Sequence, residues 1–290
     1  MVDAPPCPVS LLQPYLPNMN LKVTEVIFAC LLFAVAVTAC RTSNQETCCA
    51  ADTGGSSTPD NQLTAREKAA GWRLLFDGKS ADLWRSARSD GFPSNVWQIK
   101  DGLLTVLGQG GGEARVGGDI ITRERFSNFE LQVDFMRTPG CNSGIKIFVQ
   151  PNLDPVTGQG ARASKGSAIG LEYQILDDER HPDAKLGING DRKLGALYDL
   201  VPAGPDKHPN PMGEWNHALI ISHGRHVEHW LNGRKIVEYD RGSSAFRAAV
   251  AASKFRNIPG FGEWPDGHIL LQEHGSEVSF KNIKILQIHT

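Results

Sequence analysis

Glu172 and Gln174 stand two apart in the apolar stretch Leu171 to Leu176. Successive side chains of an extended chain alternate faces, so this carboxylate and amide share one side, roughly 7 Å apart. Leu171, Tyr173 and Ile175 take the opposite side, which reads as core. Such a polar pair can remove and relay a proton, and a solvated sheet face is the competing reading. His229 falls between Val227 and Leu231, where an imidazole can shuttle protons near neutral pH or serve as a satisfied core histidine. Glu273 and His274 end an apolar run just before Gly275, a position suited to cleft-rim acids or to plain turn chemistry. Asn142 and Lys146 can donate to ligand oxygens, and Tyr198 and Trp215 can stack on a ring face or pack in the core. Asp177 and Asp178 close the Glu172 stretch, where they can bind hydroxyls, bind a cation or cap a turn.

Other chemistries lack their signatures. His181, His208, His217, His223 and His226 show no HExxH or comparable ligand spacing, so no catalytic zinc or other metal is expected. The glycine-rich run Gly108 to Gly118 lacks the Lys-Ser/Thr ending of a phosphate loop and reads as a flexible loop over a cleft. No Ser-His-Asp signature or CxxC pair is present. A net charge of −2 and a pI near 6.5 give no reason to expect nucleic acid.

The elements that must position these groups read as strands. Phe129 to Phe135 alternates strictly with period two, and Gly144 to Val149, Leu171 to Leu176 and Ala218 to Ser222 are further strand candidates. His226 to Leu231, Asn232-Gly233 and Arg234 to Tyr239 predict a two-residue hairpin, because Asn-Gly accepts positive φ at both turn positions. A second hairpin is expected to pair Ile269 to Glu273 with Val278 to Ile285 around His274-Gly275. The longest helix expected is Leu63 to Ala70. Abundant turn formers, 30 Gly and 17 Pro, and strands without intervening helices argue for an all-β sandwich or jelly roll.

The first part of the chain reads as an address. Val26 to Ala39 is uncharged and apolar, shorter than the roughly 20 residues of a spanning helix and suited to a signal-peptide core. Val37-Thr38-Ala39-Cys40 resembles a bacterial lipobox, making Cys40 the expected lipidation site and Met19 the expected true start; a plain transmembrane anchor is the alternative. The expected organisation is a leader over 1–39, a lipidated flexible linker over 40–62 and one domain over 63–290. That places the protein in the bacterial cell envelope, on the periplasmic side or outer surface, touching membrane through its lipid alone. Cys48 and Cys49 receive no role, Cys7 and Cys30 fall in removed segments, and Cys141 alone lies in the domain. The fold must therefore rest on its apolar core.

Seven short motifs occur in order: Leu75 to Lys79, Asn142-Ser143-Gly144, Glu172 to Asp178, Gly195 to Tyr198, Gly213 to Asn216, Glu228 to Gly233 and Gln272 to Gly275. Together, from about Gly71 to the C-terminus, they resemble the 3-keto-disaccharide hydrolase family. Cys141 departs from the small residue expected before Asn142. The resemblance implies a concanavalin A-like jelly roll of two antiparallel sheets. It also implies a bacterial hydrolase acting on a small carbohydrate, a glycoside oxidised at C3 of a glucose unit. A C3 ketone makes the C2 hydrogen acidic, so loss of that proton permits expulsion of the aglycone from C1, and water then adds. Such a site needs a base near C2, a donor for the enolate oxygen and an acid for the leaving oxygen. The candidates are Glu172, His229, His274 and Glu273 for proton transfer, with Asn142, Lys146, Gln174, Asp178, Tyr198 and Trp215 for substrate binding. No cofactor is expected, and the Ca²⁺ that this fold often carries has no legible ligand pattern. A non-catalytic carbohydrate-binding lipoprotein on the same fold is the competing class. A laminarinase-like glycosidase would need a carboxylate where Gln174 stands.

Overall fold

The computed structural model describes residues 58–108, 118–161 and 166–288, all within the unit Gly55–Thr290. The leader, Cys40, Cys48, Cys49 and residues 109–117 of the glycine-rich run lie outside the described residues. In chain order the strands are β1 Arg73–Leu74, β2 Trp84–Ser86, β3 Trp97–Lys100, β4 Leu103–Val106, β5 Ile120–Thr122, β6 Phe129–Arg137 and β7 Asn142–Gln150. They continue as β8 Ile169–Leu176, β9 Trp215–His223, β10 His226–Leu231, β11 Arg234–Asp240, β12 His268–Leu271 and β13 Val278–Gln287. Two helices, α1 Ala65–Ala69 and α2 Ser244–Ala252, and one 3₁₀ turn, Pro182–Lys185, complete the described elements.

Two antiparallel sheets form the jelly-roll sandwich. One runs β11-β10-β9-β6-β13-β4-β3 with β1 on β13, and the other runs β2-β5-β12-β7-β8. β6 shows how sequence pattern becomes layer: Phe129, Leu131, Val133 and Phe135 are fully buried while Glu130, Gln132 and Asp134 are only partly covered. Trp84, Trp97, Phe148, Tyr173 and Phe280 fill the same apolar interior. β8 differs, because every residue in it is buried. Its Leu171, Tyr173 and Ile175 belong to the core, and its polar residues are covered from the other side. A sheet face roofed in this way is a cleft floor rather than a solvated surface.

The Asn-Gly hairpin forms as expected: β10 pairs with β11, and Asn232 and Gly233 take φ of 49° and 78°. α1 falls within the expected Leu63 to Ala70 helix, fixed by a capping box in which Thr64 and Glu67 bond each other's backbone N–H.

Three expectations are corrected. The second hairpin does not exist. β12 pairs with β5 and β7 in the five-stranded sheet, whereas β13 pairs with β6, β4 and β1 in the other, so Gln272 to Glu277 crosses between layers. Alternation identifies a strand's core face and leaves its partner unspecified. α2 is longer than the helix expected at 63–70; Ser243 caps it by accepting from Phe246 N–H at 3.1 Å, and five of its nine residues are then alanine, the best helix former. The linker reading extends too far. Asn61 is buried, exchanges backbone-to-side-chain hydrogen bonds with Asn282 at 2.6 and 2.9 Å, and donates to Gly102 O, while Asp60 pairs with Lys281.

Candidate active site

The antiparallel register of β7 and β8 sets Gly144 opposite Gln174 and Lys146 opposite Glu172. Period-two alternation then puts Asn142, Gly144, Lys146, Glu172 and Gln174 on one face, turned away from the core face of Ile145, Ile147, Tyr173 and Ile175. The chain leaving β12 runs alongside, with Gln272 N–H donating to Gly144 O at 3.0 Å, and brings Gln272, Glu273 and His274 to the same place. Residues after β8 extend its edge: Gly195 N–H and Tyr198 N–H donate to the carbonyls of Gln174 and Glu172, which seats the Tyr198 ring beside the floor. Pro155 and Val156 on one rim and Lys254 and Phe255 on another enclose a cavity of about 310 Å³. That volume suits a sugar-sized ligand.

The floor is a connected polar network. The Lys146 ammonium donates to Ser167 Oγ at 2.6 Å and to Ala168 O at 3.3 Å, and pairs with Glu172 Oε2 at 3.3 Å. Ser167 in turn donates to Asp119 Oδ2 at 2.6 Å, and the other Asp119 oxygen accepts from Glu273 N–H at 3.1 Å. Lys146 and Glu172 are each 6% exposed, so neither can lose the other without leaving a buried lone charge. Gly144 makes room for the pair: a Cβ there would stand 2.9 Å from both Cγ and Cδ of Glu172. Burial, reinforced by the Asp119 charge, raises the pKa of Glu273, although Gly275 N–H donates to its carboxylate. His274 meets the edge of His181 at 6.2 Å between centroids, and burial followed by the His274 charge lowers the His181 pKa.

Three side-chain atoms on this cavity are buried without a partner: Gln174 Oε1, Gln272 Oε1 and His274 Nδ1. Each such atom costs about 1–3 kcal/mol, so their convergence on one cleft is a mark of ligand binding rather than of folding.

Of the expected residues, Glu172, Gln174, Asn142, Lys146, Tyr198, Glu273 and His274 meet at this cavity. Three do not. His229 lies on β10 in the other sheet, 1% exposed, its ring against Tyr173 at 5.0 Å and Tyr239 at 5.7 Å. Its Nδ1–H donates to Gly195 O at 3.1 Å, and burial lowers its pKa to about 4, so it is a neutral core histidine. The β8 backbone separates it from Glu172, because Tyr173 points inward and Glu172 outward. Trp215 lies on β9, with the Lys281 ammonium 4.4 Å from its ring centre, and is absent from the cleft. Asp178 clamps a loop instead, accepting from Leu194 N–H at 2.7 Å and from Lys207. Asp177 follows its turn reading and accepts from the backbone of Gly140, Glu179 and Arg180. The sequence reading missed Asp119, Ser167, Gln272 and Lys254. Gln272 sits in a motif already singled out, whereas Lys254 follows a helix that periodicity did not reveal.

Residues 71–286 match the family model described as a 3-keto-alpha-glucoside-1,2-lyase-like domain. The chain belongs to this family. It is 36% identical over 234 residues to a 3-keto-disaccharide hydrolase of Bacteroides thetaiotaomicron, covering 75% of this chain and 78% of that one. Two crystal structures of Parabacteroides distasonis proteins, provisionally named glycosyl hydrolases, also resemble it. One has a TM-score of 0.68 at 32% identity, covering 80% of this chain and all of that one. The other has a TM-score of 0.53 at 27% identity, covering 75% of this chain and 99% of its own. As a 3-keto-alpha-glucoside-1,2-lyase-like protein, the chain is a carbohydrate-active enzyme of hydrolase or lyase type.

Proposed function

We propose that this cavity cleaves 3-keto-glycosides, including 3-keto-disaccharides, by removing the C2 proton, eliminating the C1 aglycone and hydrating the product. The observation that carries the reading is the Lys146–Glu172 pair on the floor of a roofed polar cleft, beside a carboxyl whose pKa is raised. Glu172, paired with the Lys146 ammonium at 3.3 Å, takes the proton from C2. The electron pair moves into the C3 carbonyl, giving an enolate; collapse of the enolate expels the C1 oxygen. Glu273 supplies the proton that this oxygen needs, because burial beside Asp119 favours its neutral form. His274, adjacent and with an unpartnered ring nitrogen, relays protons when water adds across C1 and C2. Gln174, Gln272 and Asn142 face the hydroxyls, and Tyr198 offers a ring to the sugar face.

Incubation with 3-keto-trehalose, with 3-keto-glucose as the readout, tests this. Wild type releases 3-keto-glucose and leaves trehalose intact. Glu172→Gln lowers kcat about 10²–10⁴-fold. Cleavage of unoxidised glycosides alone, or full activity in Glu172→Gln, would contradict the reading. The same reading makes the enzyme an exported lipoprotein anchored through Cys40, so that it meets its substrate in the cell envelope.

A further inference from the structure

The reaction proposed above leaves its enolate oxygen without an assigned donor, and two lysines share the cavity. An ammonium has three N–H groups. Those of Lys146 already face Ser167 Oγ, Ala168 O and Glu172 Oε2, so that residue cannot serve a substrate oxygen without releasing a buried partner. Lys254 is its opposite. Its Nζ lies 4.2 Å from the centre of the Tyr198 ring and 5.2 Å from that of Phe255, with no hydrogen bond or ion pair to any described residue.

The backbone beneath this free cation is fixed. Lys254 N–H donates to Asp199 Oδ2 at 2.7 Å, and the other Asp199 oxygen accepts from Arg192 Nε at 2.5 Å. Arg192 also holds Asp183, which accepts from the Tyr198 hydroxyl at 2.8 Å. One network thus positions both the lysine backbone and the ring over which its charge rests. We propose that Lys254 is a further catalytic residue, donating to the C3 oxygen as negative charge develops there, while Lys146 stays paired with Glu172. This rests on the 3-keto-glycoside reading and adds the residue that reading lacks. Burial lowers the Lys254 pKa, with the charge of Glu172 opposing it, and a hydrogen bond from the ammonium to a developing anion is of the strong, charge-assisted kind.

The test separates enolate formation from aglycone loss by using 3-keto-1,5-anhydroglucitol, which has no aglycone on C1. Exchange of its C2 hydrogen for deuterium is followed by NMR. Wild type catalyses exchange, and Lys254→Met slows it about 10²–10³-fold. Lys254→Arg restores part of that loss, and binding of unoxidised 1,5-anhydroglucitol changes less than about threefold in either variant. An unchanged melting temperature is expected, since the side chain is exposed to the cavity. Exchange by Lys254→Met within about threefold of wild type overturns the proposal. So does a borohydride-reducible adduct on Lys254, which would make it a covalent rather than a hydrogen-bonding group. If wild type itself exchanges nothing, the 3-keto-glycoside reading falls and this proposal falls with it; if wild type exchanges and Lys254→Met matches it, only the proposal falls.

Discussion

One layer of backbone separates Glu172 from His229. Both sit in alternating stretches between apolar neighbours. In β8 the apolar neighbours face the core and the carboxylate faces the cleft, whereas in β10 the histidine lies on the core side with Val227 and Leu231. An imidazole tolerates that interior because it can be neutral and donate one hydrogen bond to Gly195 O; a carboxylate cannot. The consequence is measurable. His229 has its pKa lowered to about 4, so between pH 6.5 and pH 4 the unfolded chain binds the proton that the folded chain refuses. This contribution to stability is complete above pH 6.5 and is lost as pH falls toward 4, by about 3 kcal/mol in total. Denaturant unfolding across that range should show the loss. His229→Asn should flatten it and leave kcat within about twofold of wild type; a large kcat effect at unchanged KM would return the histidine to the mechanism.

At the scale of elements, the site is made by register. Lys146 meets Glu172, and Gly144 leaves the space that the carboxylate occupies, because β7 and β8 pair as they do. Gly144→Ala should therefore act on function and stability together. Its methyl would stand 2.9 Å from both Cγ and Cδ of Glu172, and moving that side chain takes the carboxylate off Lys146 and leaves buried lone charges. A drop in kcat of about tenfold or more with a clearly lowered melting temperature is expected; wild-type activity and stability would show that the placement of Glu172 is not critical. The strands β6, β8, β9 and the β10–β11 hairpin were legible from local alternation and the Asn-Gly turn, because those signals lie within a few residues. The partners of β12 and β13 were not, since pairing is long-range: β13 finds β6 and β4 while β12 finds β5 and β7. Reading His274-Gly275 as the centre of a hairpin nevertheless drew attention to Glu273 and His274, which the crossing segment delivers to the cleft.

The whole molecule divides its two faces of polarity between two tasks. The eight-stranded sheet carries solvated pairs such as His217 with Asp134 and Lys235 with Glu228, while the five-stranded sheet carries a buried network roofed by loops. Seven of the ten candidate catalytic and binding residues reach that cleft, and each arrives by strand alternation or by a motif. The residues missed, Asp119, Ser167, Gln272 and Lys254, belong to connecting segments, where no periodicity marks them. The proposed lipid attachment at Cys40 belongs to this scale as well. Expression with labelled palmitate should give a membrane-associated, labelled protein, and Cys40→Ala should abolish the label; a labelled Cys40→Ala protein, or an unlabelled wild type, would contradict anchoring there. The central claim, however, is that a proton leaves and returns at C2 during cleavage. Turnover of 3-keto-trehalose in D₂O, with the 3-keto-glucose trapped at once by reduction and read by mass spectrometry, reports this directly. The account predicts one deuterium at C2 of the released sugar in step with turnover; product released with its original hydrogen at C2 would contradict it.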